Sequence, residues 1–165
     1  MIDTLQKLHI QGLQAIYDAE QQKIEGASQI ADAVQSPELK QALEEGLQAT
    51  KQRISRLEQA LQEAGAPTER VPNDVMKGIL SVGNKIRTET TEPSVRDAGI
   101  IASAQIGMHY FIAAYGTMRA YAETLGLNEV AEMSRQTVQE IKQQDERMSQ
   151  IAEGIVNQQA QAASS

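Results

Sequence analysis

The chain has 165 residues, 41% hydrophobic and 22% charged, enough for one domain with a substantial core, and its Pro and Gly are too few for disorder. A formal charge of −7 with no Lys/Arg cluster argues against a phosphate-binding face, and so against a nucleic-acid partner. The absence of cysteine removes disulfides, thiolate catalysis and Cys-based zinc or iron–sulfur sites together.

The N-terminal stretch MIDTLQKLHIQG has no basic segment followed by an apolar one, so no secretory signal is expected and the cytoplasm is the default location. Helical periodicity then dominates, and no useful length alternates with period two. A first helix is predicted from about Thr4 to Val34, with Leu5, Leu13, Ile16, Ala27, Ile30 and Val34 along one side. Ser36-Pro37-Glu38 stops and restarts the chain, with Ser36 as N-cap and Pro37 at the first helical position, where its missing N–H costs nothing. The second helix runs to about Ala64 on a heptad-like seam of Leu43, Leu47, Thr50, Ile54, Leu57 and Leu61. After Gly65-Ala66-Pro67, a shorter amphipathic piece from Asp74 to Ile86 is expected to bury Val75, Ile79, Val82 and Ile86, as part of a long crossover.

A third long helix follows Pro93, with Ser94 as N-cap and Asp97 in a capping-box position. Its inner positions read Ile101, Ala104, Met108, Phe111, Tyr115 and Met118. Residues 98–118 carry no charge, a length that could span a bilayer, but Ser103, Gln105, His109 and the glycines favour a buried bundle helix. Gly126 ends this helix and Asn128 is the expected N-cap of the last one, which runs to about Val156. Val130, Ser134, Thr137, Ile141, Gln144, Met148, Ile151 and Ile155 face inward there. Residues 1–158 thus form a single domain and residues 159–165 a flexible tail. Two short connections and one long central one predict an all-α, ferritin-like antiparallel four-helix bundle with a crossover that contains a short extra helix.

Bundles of this class build di-metal sites from inward carboxylates and Glu-x-x-His pairs, so the mid-bundle inner positions are where chemistry is sought. Glu20 and, three residues on, Lys23 interrupt the apolar stripe of the first helix; Gly46, Leu47, Thr50 and Ile54 come from the second. Met108 and Phe111 come from the third, with His109 displaced by one position, and Thr137, Ile141 and Gln144 from the fourth, flanked by Glu140 and Asp145. No Glu-x-x-His or His-x-x-Glu pair occurs. One central carboxylate does not hold two metals.

Tyr17-Asp18-Ala19-Glu20, Thr50, Arg56-Leu57-Glu58, Val95-Arg96-Asp97-Ala98, His109-Tyr110, the run Ile112 to Thr117, the turn Ala122 to Gly126, and Glu140 with Asp145 resemble the YciF-type ferritin-like family of bacterial stress proteins over most of the chain. The resemblance implies a di-metal centre with His and Glu at the positions of Gly46 and Ala49, Glu at those of Met108 and Phe111, and Glu at that of Ile141. All five are apolar or small here. The resemblance therefore implies a member with a degenerate metal site, and it points to a homodimer.

Two readings of the buried charges stay open. In one, the Lys23 ammonium pairs with Glu20 in place of a metal, helped by the Thr50 or Tyr115 hydroxyls; in the other, Lys23 snorkels to solvent and Glu20 tilts to a wet boundary. His109 is expected to be a packed, hydrogen-bonded residue and His9 a bundle-end residue. Glu140 and Asp145, beside Lys142 and Arg147, read as a solvated helix face. The function expected is that of a non-catalytic helical protein, without cofactor or metal, acting through self-association or a protein partner and not through membrane. The alternatives are an iron- or manganese-binding protein or oxidase with a reduced site of Glu20, His109 and Glu140, and a binder of an apolar small molecule within the bundle.

Overall fold

Thr4 opens the molecule: its hydroxyl accepts the Lys7 amide, and helix α1 runs from Leu5 to Ala31. The computed structural model describes residues 1–163, apart from the side chains of Ala27 and Ser28, so the expected inner position of Ala27 lies outside the described residues. Helix α2 spans Pro37–Glu63, α3 Asp74–Glu89, α4 Pro93–Leu125 and α5 Asn128–Ile151; a π-helical turn at Ala152–Val156 leads into α6, Asn157–Ala163. No strand occurs among the described residues.

Helices α1, α2, α4 and α5 form the bundle, each packed on two of the others, and α3 lies against α1 and α4. The contacts give the directions. Gly12 faces Met118 while Gln35 meets Asp97, so α1 and α4 run antiparallel. Glu45 meets Arg147 while Arg56 meets Glu140, so α2 and α5 do too. The segment from α2 to α4 therefore travels the length of the bundle, and α3 fills most of it. The core is drawn from all four long helices and includes Leu13, Ile16, Leu57, Leu61, Ile101, Phe111, Tyr115, Ile141 and Met148, all buried.

The crossover is anchored by Asp18. Its carboxylate accepts from Arg70 Nε at 2.6 Å, Gln22 Nε2 at 2.6 Å and the Asn73 amide at 2.8 Å. Burial alone would raise its pKa, but these donors outweigh it and hold the group below the usual carboxylate range. Asn73 in turn caps α3 by accepting the Met76 amide and ties it to α4 through the Tyr110 hydroxyl.

Several local features differ from the sequence expectation. Helix α3 buries Met76 and Gly83 with Ile79, Leu80 and Ile86 half-buried beside them, while Val75 and Val82 face solvent. The glycines explain the rotation: a Cβ at Gly83 would stand 2.8 Å from Ser103 Oγ, and one at Gly99 2.6 Å from Ile86 Cγ2, so α3 and α4 touch where side chains are missing. Helix α1 stops at Ala31, short of Val34, because Arg96 Nε takes the Ala33 carbonyl and draws the chain toward α4. Helix α4 starts at Pro93 with Glu92 as its cap, and Asp97 is a tertiary cap instead: fully buried, it accepts the Gln35 amide at 3.2 Å and the Ser36 amide at 2.8 Å, just before α2. Asn128 is the first helical residue of α5 rather than its cap. The π-helical turn adds a residue, so Val156, five after Ile151, takes the buried place expected of Ile155. The chain stays helical to Ala163 against α4; the last two residues of the expected tail, Ser164 and Ser165, lie outside the described residues. The uncharged stretch 98–118 lies within α4, and among the described residues no helix is long and apolar enough to cross a membrane.

Candidate functional site

At mid-bundle, α1 turns Glu20 inward on the face of Ile16, and the side chain is fully buried. Arg53 of α2, 1% exposed, meets it: Nε donates to Oε1 at 2.5 Å and Nη2 to Oε2 at 3.3 Å. Nη2 also donates to Thr50 Oγ1 at 2.8 Å, and that hydroxyl in turn donates to the Gly46 carbonyl at 2.9 Å. From α4, the Tyr115 hydroxyl donates to Glu20 Oε1 at 3.1 Å. Burial alone would lower the Arg53 pKa, but the Glu20 carboxylate outweighs it and raises it. Burial first, and then the Glu20 charge, push the Tyr115 phenol well above its ordinary value, so it stays a neutral donor. The result is a desolvated ion pair with hydroxyls on both sides.

Of the expected cluster, Glu20, Thr50 and Tyr115 meet, but the cation on Glu20 is Arg53 and not Lys23. The Lys23 Nζ lies 5.8 Å from the centroid of the Phe111 ring and, among the described residues, makes no hydrogen bond or ion pair. A guanidinium reaching across from α2 offers Glu20 two N–H groups in a fork, which a neighbour three positions along the same helix cannot match. Burial, then repulsion from Arg53, bring the Lys23 amine down to about 8 against the pull of Glu20. Arg53 was legible in one respect: it stands three residues after Thr50 and four before Leu57, on the same seam.

The other candidate residues are dispersed. His109 is exposed rather than packed, its side chain 68% accessible, and its Nε2 lies 3.1 Å from Asp145 Oδ2. Glu140 takes a bidentate grip from Arg56, at 2.9 and 2.6 Å, which holds it below the usual carboxylate range. Asp145 also accepts from Gln105 Nε2 at 3.1 Å. Glu140 and Asp145 therefore bond to α2 and α4 instead of forming a solvated face. Glu20, His109 and Glu140 do not converge. Among the described residues no group of three or more His, Cys, Asp or Glu side chains is arranged to hold a metal ion.

Residues 4–161 match the family described as a domain of unknown function, DUF892. Protein YciF of Escherichia coli (strain K12) is 32% identical over 159 residues, 96% of each chain. This chain belongs to the YciF-type family. The crystal structure of the E. coli stress protein YciF superposes with a TM-score of 0.90 at 31% identity, covering 94% of this chain and 99% of that one. YcfI from Rhodopseudomonas palustris gives 0.87 at 30% identity, covering 90% and 94%. A protein from Xanthomonas campestris gives 0.79 at 18% identity, covering 98% and 100%, and shares the fold.

The all-α ferritin-like bundle is thus that of the YciF-type family. A di-metal centre, which the resemblance to that family implies, has no fitting donor set here. The five ligand positions hold Gly46, Ala49, Met108, Phe111 and Ile141, and Glu20 is already bonded to a buried guanidinium whose charge repels a metal cation.

Proposed function

We propose that this member of the YciF-type family is a non-catalytic, stress-associated helical protein of the cytoplasm, in which a protein-borne cation stands where related bundles place metal. One observation carries the reading: the buried Arg53–Glu20 pair, closed by Thr50 and Tyr115, supplies at the bundle centre the positive charge that a carboxylate there needs. The description of the E. coli relative as a stress protein supports the stress association. The test is elemental mass spectrometry for iron, manganese and zinc on protein purified from metal-supplemented cultures. Metal far below one ion per chain is expected; a stoichiometric ion lost on Glu20→Ala would overturn the proposal.

Action would be through self-association, as a homodimer, or through a protein partner. Val75 and Val82, seven residues apart on the solvent side of α3, give that helix an exposed apolar stripe which favours such contacts. Sedimentation velocity at micromolar concentration, on the wild type and on Val75→Ser/Val82→Ser, tests the dimer; a wild-type monomer removes self-association from the reading.

A further inference from the structure

Beside the ion pair lies a cavity of about 180 Å³. Its walls come from all four bundle helices and α3, and they are mostly apolar, with Leu43, Leu80, Met108, Phe111 and Met148 among them. Gly46, Met108 and Phe111, three of the positions where the family resemblance places metal ligands, line it. It runs from the bundle centre to solvent, so a small molecule has a way in.

Its polar lining is Lys23, Ser103 and Gln144, with Glu44, Glu45 and Arg147 toward the solvent edge, where the two carboxylates are exposed and lie outside the apolar part. Lys23 lines it, and its ammonium has no anionic partner among the described residues, because Glu20 is held by Arg53. Lys23, Arg53 and Glu20 together bring two positive charges and one negative to the bundle centre, which leaves the Lys23 charge uncompensated there. Gln144, also on the wall, has a buried Oε1 with no hydrogen-bond partner among the described residues. At the exposed edge, Arg147 is paired with Glu45, so its charge is compensated by the protein itself. Lys23 is therefore the one lining cation that an incoming anion would neutralise, and the Gln144 amide can turn its NH₂ to the same anion.

Size limits what can enter. An apolar cavity of roughly 150 Å³ accepts benzene. We propose that this cavity binds a small monocarboxylate with an apolar body of about six to eight carbons, its carboxylate on Lys23 Nζ and its body against Phe111 and the methionines. The site goes beyond the proposed function and does not depend on it.

The probes are octanoate and its neutral counterpart octanol, titrated calorimetrically into the full chain at pH 7, where the Lys23 amine is charged. One octanoate per chain is expected to bind saturably and roughly tenfold or more tighter than octanol. Lys23→Met, which keeps the stem and removes the charge, should abolish that preference. Gly46→Leu should abolish binding of both, because a Cβ there meets no atom within 4 Å and the added side chain fills the space. Its fold, checked by circular dichroism, should persist. No saturable octanoate binding to the wild type would overturn the site. So would full binding by folded Gly46→Leu, and equal affinity for octanol would overturn the charged headgroup; this last comparison needs no variant.

Discussion

Replacing Arg53 with Met leaves the Glu20 carboxylate fully buried with the Tyr115 hydroxyl as its remaining side-chain donor. Breaking one side of a buried pair costs about 3–5 kcal/mol, because the surviving charge is neither solvated nor paired. The stranded carboxylate can take up a proton or draw on the Lys23 ammonium, which already attracts it, so the comparison is made in a Lys23→Met background, where only the proton is left. At pH 7 that costs a carboxyl about 3.7 kcal/mol, and at pH 5 only about 1 kcal/mol. The loss in Arg53→Met should therefore level off near 3–4 kcal/mol at pH 7 and shrink by about 1.4 kcal/mol for each pH unit lowered toward pH 5. The sign follows because the folded variant then holds a proton that its unfolded chain has given up. Glu20→Met/Arg53→Met, which removes both charges, should lie within about 2 kcal/mol of the Lys23→Met parent, since apolar replacement of a buried pair is often neutral or better. Thr50 keeps the Gly46 carbonyl as its acceptor, so the double variant leaves chiefly the Tyr115 hydroxyl to find a new one. Urea unfolding followed by far-UV circular dichroism at several pH values measures the parent, the single variants Arg53→Met and Glu20→Met, and the double variant. A single-variant loss below about 1 kcal/mol at pH 7, or a double variant as unstable as the sum of its singles, would refute the pair as the organiser of the bundle centre.

Lys23 predicts the opposite alkaline behaviour from most lysines. With its amine at about 8 in the fold and near 10.4 when unfolded, the unfolded chain holds the extra proton, so stability should rise from about pH 8 to pH 10 and the rise should vanish in Lys23→Met. Tyr115 works against this only above about pH 10, where an unfolded phenol ionises while the buried one does not. His9 is fully buried, neither ring nitrogen has a hydrogen-bond partner among the described residues, and burial lowers its pKa. Stability should fall as pH drops through about 6.5, where the unfolded imidazole gains a proton; His9→Leu should remove that slope and add about 1–3 kcal/mol in thermal or urea unfolding. Asp97→Ala should cost about 1–3 kcal/mol and raise hydrogen exchange selectively at Gln35 and Ser36, whose amides lose their acceptor.

Much of the fold can be read from residue spacing, because a 3.6-residue period leaves little freedom over 27 or 33 residues, as in α2 and α4. Most of the inner stripe of α4 follows directly, as do Thr50, Ile54, Leu57 and Leu61 of α2 and the central Glu20 and Tyr115, whereas Leu43 and Leu47 are half-buried and Leu39 and Ala42 are buried at that end of α2. Arg53 escapes a reading that takes one seam position per turn, although its spacing from Thr50 and Leu57 puts it inside; a charge on a seam is a partner for another charge. The buried face of α3 escapes for a different reason. Ile79 and Ile86 belong to both candidate stripes, and what decides between them is Gly83, a core position without a side chain and so without a hydrophobic signal. The π-helical turn leaves no trace in the periodicity until the inward residue moves from Ile155 to Val156. Cavities are equally silent in a sequence, since Gly46 and Lys23 come together only when five helices enclose one space.

Asp97 has a consequence for the order in which the chain can be completed. The backbone donor of Ser36, at the start of α2, is satisfied by a carboxylate 61 residues downstream. A hairpin of α1 and α2 leaving the ribosome alone would carry bare amides at its bend until α4 arrives. The two halves finish one another, and a chain cut within the crossover should regain a protected bend only when both fragments are mixed.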